Sequence, residues 1–347
     1  MCNIAGYVGE RNAAPVLLEM LRRQQDFDGG VCTGIATIHE GRLYYRKIVG
    51  DVDALIKHTD ALYLPGKIGI AHTRPGGAPA TYCHAHPFIT PDETMAGVTN
   101  GTGISKGDPK ARMKMLVDML EAADYKFRGE AFLGEDKANL KNGALTSGAE
   151  IRINAVHYFY NQGMSMTAAM AKTDSIIYKD GVLEALNIDT PDRIYVLRTT
   201  RPAITLKADD GMYIATTRFA FPDGLRGEVE QLPLFHPCEI TKDGFTVSAD
   251  KIEEEEVSEV TPEVLEDGYN RIVGMLKGKA DAPLYYDDLE LTIAREMRDI
   301  FPGDHSLFQH ARLVYDVLWR LTEEGRLKTE RRWFKNEKFR TFMWIDD

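Results

Sequence analysis

The sequence predicts an α+β fold, and three observations carry that prediction. Short apolar runs interrupted by glycine, such as Ile4 to Gly9 and Ile68 to Thr73, read as buried strands. Between such runs lie stretches with helical spacing, clearest in Pro109 to Ala123, where Met113, Leu116, Val117 and Leu120 fall on one side. From Arg193 onward the pattern changes to short strands separated by turns, as in the hairpin Glu239 to Val247 around Lys242-Asp243-Gly244. Periodicity by itself goes no further than mixed α and β.

In order along the chain, Ile4 and Val8 mark a first strand that would hold Cys2 at a sheet edge. Asn12 to Gln25 reads as a helix, with Ala14, Leu17, Leu18 and Leu21 on one face, broken by Asp26-Phe27-Asp28-Gly29-Gly30. Thr33 to His39 and Arg42 to Ile48 form a hairpin about Glu40-Gly41. Asp51 to Lys57 is a short helix, Leu62 to Lys67 returns to the sheet, and Ile68 to Thr73 is a central strand that delivers Arg74. His84 and His86 are two apart and would share one face of a strand; a metal would need a further ligand, and none is assigned. Met95 to Thr99 is a strand ending at Asn100-Gly101, a dipeptide that in isolation reads as a hairpin turn.

Lys126 to Asn142 reads as a solvated insertion, and helices follow from Thr146-Ser147-Gly148 to about Gln162 and from Ser165 to Lys172. The acidic run Glu253 to Glu256 marks a boundary, after which Thr261-Pro262-Glu263 starts a helix ending near Gly278. Past Pro283, Asp288 to Phe301 is helical up to Pro302-Gly303. Ser306-Leu307-Phe308-Gln309 caps a second helix that Gly325 stops, and Leu327 to Phe334 pairs with Lys338 to Ile345 around Lys335-Asn336-Glu337. Helices followed by such a hairpin resemble a winged helix. The expected divisions are residues 1–250, an acidic linker and helix over 251–282, and a winged-helix-like module over 283–347.

Composition excludes several classes. At 347 residues, with 44% hydrophobic and 27% charged, the chain resembles a soluble globular protein of one large or two modest domains. Its net charge of −11 argues against a surface devoted to nucleic acid or anionic membrane. Cys2, Cys32, Cys83 and Cys238 show no zinc or disulfide spacing, so a cytoplasmic location is expected. No apolar run reaches the ~18 residues needed to cross a bilayer, and neither a membrane span nor a secretory leader is expected.

Removal of Met1, which a small second residue permits, would give Cys2 both a thiol and a free α-amine. The thiolate is the nucleophilic form, and an α-amine with an ordinary pKa of roughly 7.7–8.0 is poised to generate it. Met1-Cys2, together with Ile68-Gly69-Ile70-Ala71-His72-Thr73-Arg74, Ala85-His86-Pro87-Phe88 and Asn100-Gly101, resembles the class II glutamine amidotransferases, a family of N-terminal-nucleophile hydrolases. In order and spacing the blocks match the amidotransferase domain of glucosamine-phosphate synthase better than the purine-pathway relatives, and the likeness extends to about Asp250.

The resemblance implies a four-layer αββα sandwich ahead of the C-terminal module. It implies release of ammonia from the side-chain amide of glutamine, or a related amide, through a Cys2 thioester, with no metal or organic cofactor. Arg74 would clamp the substrate carboxylate with its planar charged fork. Asn100 and the Gly101 N–H would stabilise the oxyanion, and His86 would pack and hydrogen-bond beside the substrate. The chain also departs from the family. Pro75 and two glycines follow the arginine, Thr99 stands where the family often has histidine, and Gly148 stands where an aspartate holds the substrate ammonium.

A desolvated ammonium without a carboxylate partner is costly. Glu150 is therefore the nearest replacement, with Asp136 a shifted alternative; otherwise the substrate lacks that ammonium or the site does not turn over. The expected partners are a small amide substrate, a separate ammonia-accepting synthase subunit and further copies of the chain. A rival reading is a non-catalytic amino-acid or amide sensor carrying a nucleic-acid- or partner-binding winged module. Arg326, Lys328, Arg331, Arg332, Lys335, Lys338 and Arg340 give the hairpin a basic face that could meet phosphates, although subunit packing or docking of a partner enzyme is preferred. The residues after position 250 are too few for a sugar-phosphate isomerising half.

Overall fold

Strand β1 (Asn3–Gly9) is buried at every position, so neither of its faces meets water: one packs on helices and the other on a second sheet. The computed structural model describes residues 2–76, 80–101, 109–130, 138–177, 181–253, 260–298, 306–335 and 337–346. Asp136, Glu254 to Glu256, Pro302-Gly303 and Asn336 lie outside the described residues.

After β1 come α1 (Ala13–Asp28), β2 (Cys32–His39), β3 (Arg42–Val49), α2 (Val52–His58) and β4 (Ile68–Arg74). Helix α1 runs three residues past the expected Gln25, because Phe27 finds a buried site against Phe219 and Tyr315. Helix α2 starts at Asp51, whose carboxylate accepts the Ala54 N–H. The stretch expected to rejoin the sheet at Leu62 forms a 3₁₀ turn, Ala61–Tyr63, instead. His84 closes another such turn, Tyr82–His84, so it shares no strand face with His86.

Next come β5 (Phe88–Ile89), β6 (Met95–Asn100), α3 (Pro109–Ala122), the small ribbon β7 (Ala138–Asn139) and β8 (Leu145–Thr146), α4 (Gly148–Asn161), α5 (Met166–Ile177) and β9 (Val182–Asn187). Phe127 and Leu140 are buried against α3 and α4, so the supposedly solvated insertion contributes to a core. Strand β9 is absent from the sequence-based reading, since Glu184 interrupts its apolar run, yet that carboxyl is fully buried. The sandwich ends with β10 (Arg193–Arg198), β11 (Ile204–Ala208), β12 (Gly211–Ala215), β13 (Glu228–Gln231), β14 (Pro237–Thr241) and β15 (Gly244–Val247).

These strands form two antiparallel sheets, β13-β11-β12-β1-β4-β2-β3 and β15-β14-β10-β9-β6-β5. Ile4, Ile70 and Ala36 of the first sheet meet Val98, Val182 and Val196 of the second in the inter-sheet core. Leu17, Leu18 and Leu21 of α1 cover the other face of the first sheet, and Ile153, Val156 and Met170 of α4 and α5 cover the second. The order of layers is therefore α–β–β–α.

The remaining elements are α6 (Pro262–Leu276), β16 (Leu284–Tyr285), α7 (Tyr286–Glu296), α8 (Ser306–Glu323), β17 (Lys328–Phe334) and β18 (Lys338–Trp344), with sheet order β16-β18-β17. Tyr269, Ile272 and Leu276 of α6 share one core with Leu289, Ile293, Val317 and Leu318. Helix α6, expected in a linker, thus packs into the C-terminal module. The same core takes in Phe27 of α1, and Trp319 meets Phe219 edge-on at 5.2 Å, which ties the module to the sandwich.

Helices α4 and α5 are joined by a fully buried pair, Arg152 and Asp174, with Arg152 Nε donating to Asp174 Oδ1 at 2.6 Å and a second bond from Nη2 to Oδ2. Removing one member leaves the other charge stranded. Asp174→Ala is expected to lower the unfolding free energy by about 3–5 kcal/mol in chemical denaturation.

Candidate active site

The ladders around β4 bring distant residues to one edge. Asn3 is opposite Thr73, which is also opposite Thr33, and Arg74 is opposite Cys32. One step beyond Asn3 on the same ladder stands Cys2, so Cys2, Arg74 and Cys32 emerge together from three adjacent strands. Polar ties hold this edge. Thr73 Oγ1 accepts from the Gly30 N–H at 2.8 Å and lies 3.0 Å from Thr33 Oγ1, while the Val31 N–H donates to the Arg74 carbonyl at 3.0 Å. Asn3 Nδ2 donates to the Gln24 carbonyl at 3.1 Å, and Gln24 Nε2 returns a bond of 2.8 Å to the Ile4 carbonyl.

The second sheet supplies Asn100. The Cys2 nitrogen donates to Asn100 Oδ1 at 3.1 Å. Asn100 is fully buried, and its Nδ2 has no hydrogen-bond partner among the described residues. A buried amide N–H pair left open is costly, and it is what a site that must receive a developing oxyanion requires. Gly101 follows with φ at 128°, a backbone that side chains rarely adopt. Gly181, at φ 140°, passes so close that a Cβ there would stand 2.1 Å from the Asn100 carbonyl oxygen.

Arg74 is almost fully buried; its Nη1 reaches the Pro75 carbonyl at 3.4 Å, and its guanidinium is bonded to the Cys32 side chain. Burial pushes the Cys32 thiol up, and Arg74 opposes that shift. His86 forms part of the wall behind this edge: its ring lies 4.0 Å from that of His72, meets Phe88 edge-on at 4.9 Å, and its Nε2 is 3.3 Å from Thr99 Oγ1. Thr99 thus occupies itself with His86. Burial, reinforced by Arg74, draws His72 down to about 3 and keeps it neutral. Among the described residues no cluster of three or more His, Cys, Asp or Glu side chains could hold a metal.

Gly148 opens α4 behind the Ser147 cap, and a Cβ there would stand 2.6 Å from the Met113 methyl. A side chain at 148 would therefore require the end of the flexible Met113 side chain to move. Glu150, two residues on, is buried and already engaged. Its Oε1 accepts from the Arg128 N–H at 2.6 Å, and its Oε2 accepts from the Gly129 N–H at 2.8 Å and Thr146 Oγ1 at 2.9 Å. Burial raises its carboxyl, and these bonds and nearby Lys47 act against the rise. Lys47 donates to the Ala85 carbonyl at 3.0 Å, and burial draws it down to about 8.

One pairing at this edge escapes sequence reading. Asp28, at the end of α1, is buried against Lys338 Nζ at 3.4 Å and Arg340 Nη2 at 3.7 Å, both from β18. The only sequence signal was the interleaving of charge and aromatic residues in the hairpin; nothing local pairs its cations with a residue of the first helix.

No family model matches the chain. Its sequence is 29% identical over 223 residues to the glutamine–fructose-6-phosphate aminotransferase (isomerizing) of Pyrococcus horikoshii, a match covering 64% of this chain and 33% of that protein. It is also 29% identical over 218 residues to the like-named protein of Caldanaerobacter subterraneus, covering 62% and 31%. The chain thus matches about a third of the length of these relatives. Among solved structures, glutamine phosphoribosylpyrophosphate amidotransferase from B. subtilis superposes with a TM-score of 0.56 at 15% identity, covering 74% of this chain and 50% of that one. An allosteric regulatory enzyme of purine biosynthesis gives 0.54 at 14%, covering 73% and 50%. At such identities the two structures speak to the fold alone, which is that of the sandwich. In sequence the chain is thus similar to the glutamine–fructose-6-phosphate aminotransferases over about a third of their length, and in fold to the solved glutamine amidotransferases.

Proposed function

We propose that the chain is an N-terminal-nucleophile amidohydrolase that releases ammonia from the side-chain amide of glutamine or a related amide. The observation that carries this reading is the contact between the Cys2 nitrogen and Asn100 Oδ1 at 3.1 Å, with Asn100 Nδ2 buried and open. In a mature chain that opens at Cys2, this nitrogen is the α-amine. The amine accepts the thiol proton, and the sulfur attacks the amide carbon. Asn100 Nδ2 and the Gly101 N–H receive the oxyanion. Collapse breaks the C–N bond as the amine passes its proton to the leaving nitrogen, giving ammonia and a thioester. Water, deprotonated by the same amine, then cleaves the thioester to the acid and restores the thiol. Arg74 holds the substrate carboxylate, and His86 braces the pocket wall.

No metal or organic cofactor enters this reaction. The acid that would receive a substrate ammonium is the open part of the site: Glu150 is bound to Arg128, Gly129 and Thr146, which favours an amide lacking that ammonium. The same observation supports a second reading, a sensor that binds an amide or amino acid without turnover. Ammonia, where released, would pass to a separate synthase subunit in the cytoplasm, and the chain would act as a homo-oligomer. No helix among the described residues is long and apolar enough to cross a membrane.

The order helix, strand, helix, helix, hairpin in residues 262–344 supports a winged-helix reading of the C-terminal module. Its use is docking rather than nucleic-acid binding. Trp319 of α8 packs on Phe219 of the sandwich, Arg331 pairs with Asp26, and Arg332 pairs with Glu330.

Intact mass is expected to lack Met1, and a glutamine-analogue electrophile is expected to label Cys2; a retained Met1 removes the catalytic reading. In an ammonia-release screen over glutamine, asparagine and amides without an α-amine, Cys2→Ala should abolish activity. Binding of any of these amides with no ammonia from the wild type would favour the sensor. Asn100→Ala should lower kcat by about 10²–10³-fold with KM little changed, the loss of one oxyanion donor worth about 2.7–4 kcal/mol.

A further inference from the structure

The C-terminal hairpin overlies the edge that carries Cys2. A Cβ on Gly30 would stand 3.9 Å from the Cβ of Lys338, and a Cβ on Gly76 would stand 3.4 Å from Glu337 Oε2. Gly30 is bonded to Thr73, and Gly76 lies two residues past Arg74, so both markers belong to the strand ends around the nucleophile. The placement rests on more than one contact, because Trp319 on Phe219 and Arg331 on Asp26 fasten the same module to the sandwich.

Two cations of β18 are buried at this junction, and they are not equivalent. Arg340 Nη2 is 2.9 Å from Asp287 Oδ2, within its own module, and only 3.7 Å from Asp28. Lys338 reaches across to Asp28 at 3.4 Å, longer than a well-formed N–H···O bond. That is its only hydrogen bond among the described residues, whereas an ammonium carries three donors. A buried ammonium with spare donors is costly to hold unless a further negative charge uses it.

We propose that Lys338 is a positioning residue of the site described above: anchored by Asp28, its ammonium favours the ionised sulfur of Cys2, so the C-terminal module completes the nucleophile pocket. The inference rests on the reading of Cys2 as the nucleophile. Its chemistry is general, since a nearby cation raises the thiolate fraction of a cysteine.

The electrostatics agree with the geometry. Burial first, and Arg340 second, draw the Lys338 ammonium down to about 8, while Asp287, Glu337 and Cys2 act in the opposite direction. At neutral pH the group is therefore still mainly protonated, and it loses its charge as pH rises through about 8. Cys2 itself is bonded to Asn100 of the second sheet, and its strand neighbour Asn3 stands opposite Thr73, which holds the Gly30 that Lys338 packs against.

The test is the rate of iodoacetamide alkylation of Cys2 in the full chain, read by peptide mass across a pH series. Lys338→Met should slow alkylation about tenfold at neutral pH and move the pH profile to the alkaline side, with the difference from wild type closing above about pH 8. Lys338→Arg, which keeps the charge, should stay within about threefold of wild type. Resistance of the buried Cys32 and Cys238 in the same digests checks the fold, and Lys338→Gln provides a second neutral side chain. A wild-type profile in the neutral variants overturns the proposal, and so does an equal loss in Lys338→Met and Lys338→Arg. Because alkylation needs no amide turnover, a Lys338-dependent profile in a chain that releases no ammonia would support the proposal and count against the amidohydrolase alone.

Discussion

Everything at the candidate site depends on one hydrogen bond that crosses the sandwich, from the Cys2 nitrogen on the first sheet to Asn100 Oδ1 on the second. It is made between the ends of strands in different layers, so it exists only while the two sheets keep their spacing and register. The inter-sheet core of Ile4, Ile70, Val98 and Val182 sets that spacing. Antiparallel register does the rest: a slip by one residue would turn every side chain of β1 to the wrong face and carry Cys2 away from Arg74. The apolar core is thus what makes the polar edge reproducible.

Charge is handled in two ways. Inside the sandwich, Arg152 and Asp174 are joined by two hydrogen bonds, and Glu150 is surrounded by donors. At the junction with the C-terminal module Lys338 and Arg340 lie 3.4 and 3.7 Å from Asp28, and Arg340 also pairs with Asp287 at 2.9 Å. The edge where Cys2 and Arg74 meet carries instead the open Asn100 amide.

Much of the sandwich was legible in the chain itself, because strands and helices announce themselves by local period. The glycine-interrupted run Ile68 to Thr73 and the helical stripe from Met113 to Leu120 are examples. Where sequence reading failed, a distant partner had overridden the local signal. Helix α1 continues through Asp26-Phe27-Asp28 because Phe27 is buried against Phe219 and Tyr315. Strand β9 pairs on both sides, and burial pushes the Glu184 carboxyl well above its ordinary range, so it sits there as the neutral acid. Phe127 and Leu140, in a stretch rich in charge, are buried because α3 and α4 leave a surface for them.

The sequence by itself determined the chemical vocabulary: a second-position cysteine, an arginine at a strand end, an Asn-Gly pair at another, and a basic hairpin far downstream. Those are properties of residue types and short spacings, which local physics dictates. Tertiary structure alone decided which of them meet. It left Asn100 Nδ2 open, committed Glu150 to backbone N–H groups, packed Met113 against Gly148, and set Lys338 against Gly30 and Asp28. Such contacts join elements whose separation along the chain carries no periodic signal, and they are set by how layers stack and how strands register.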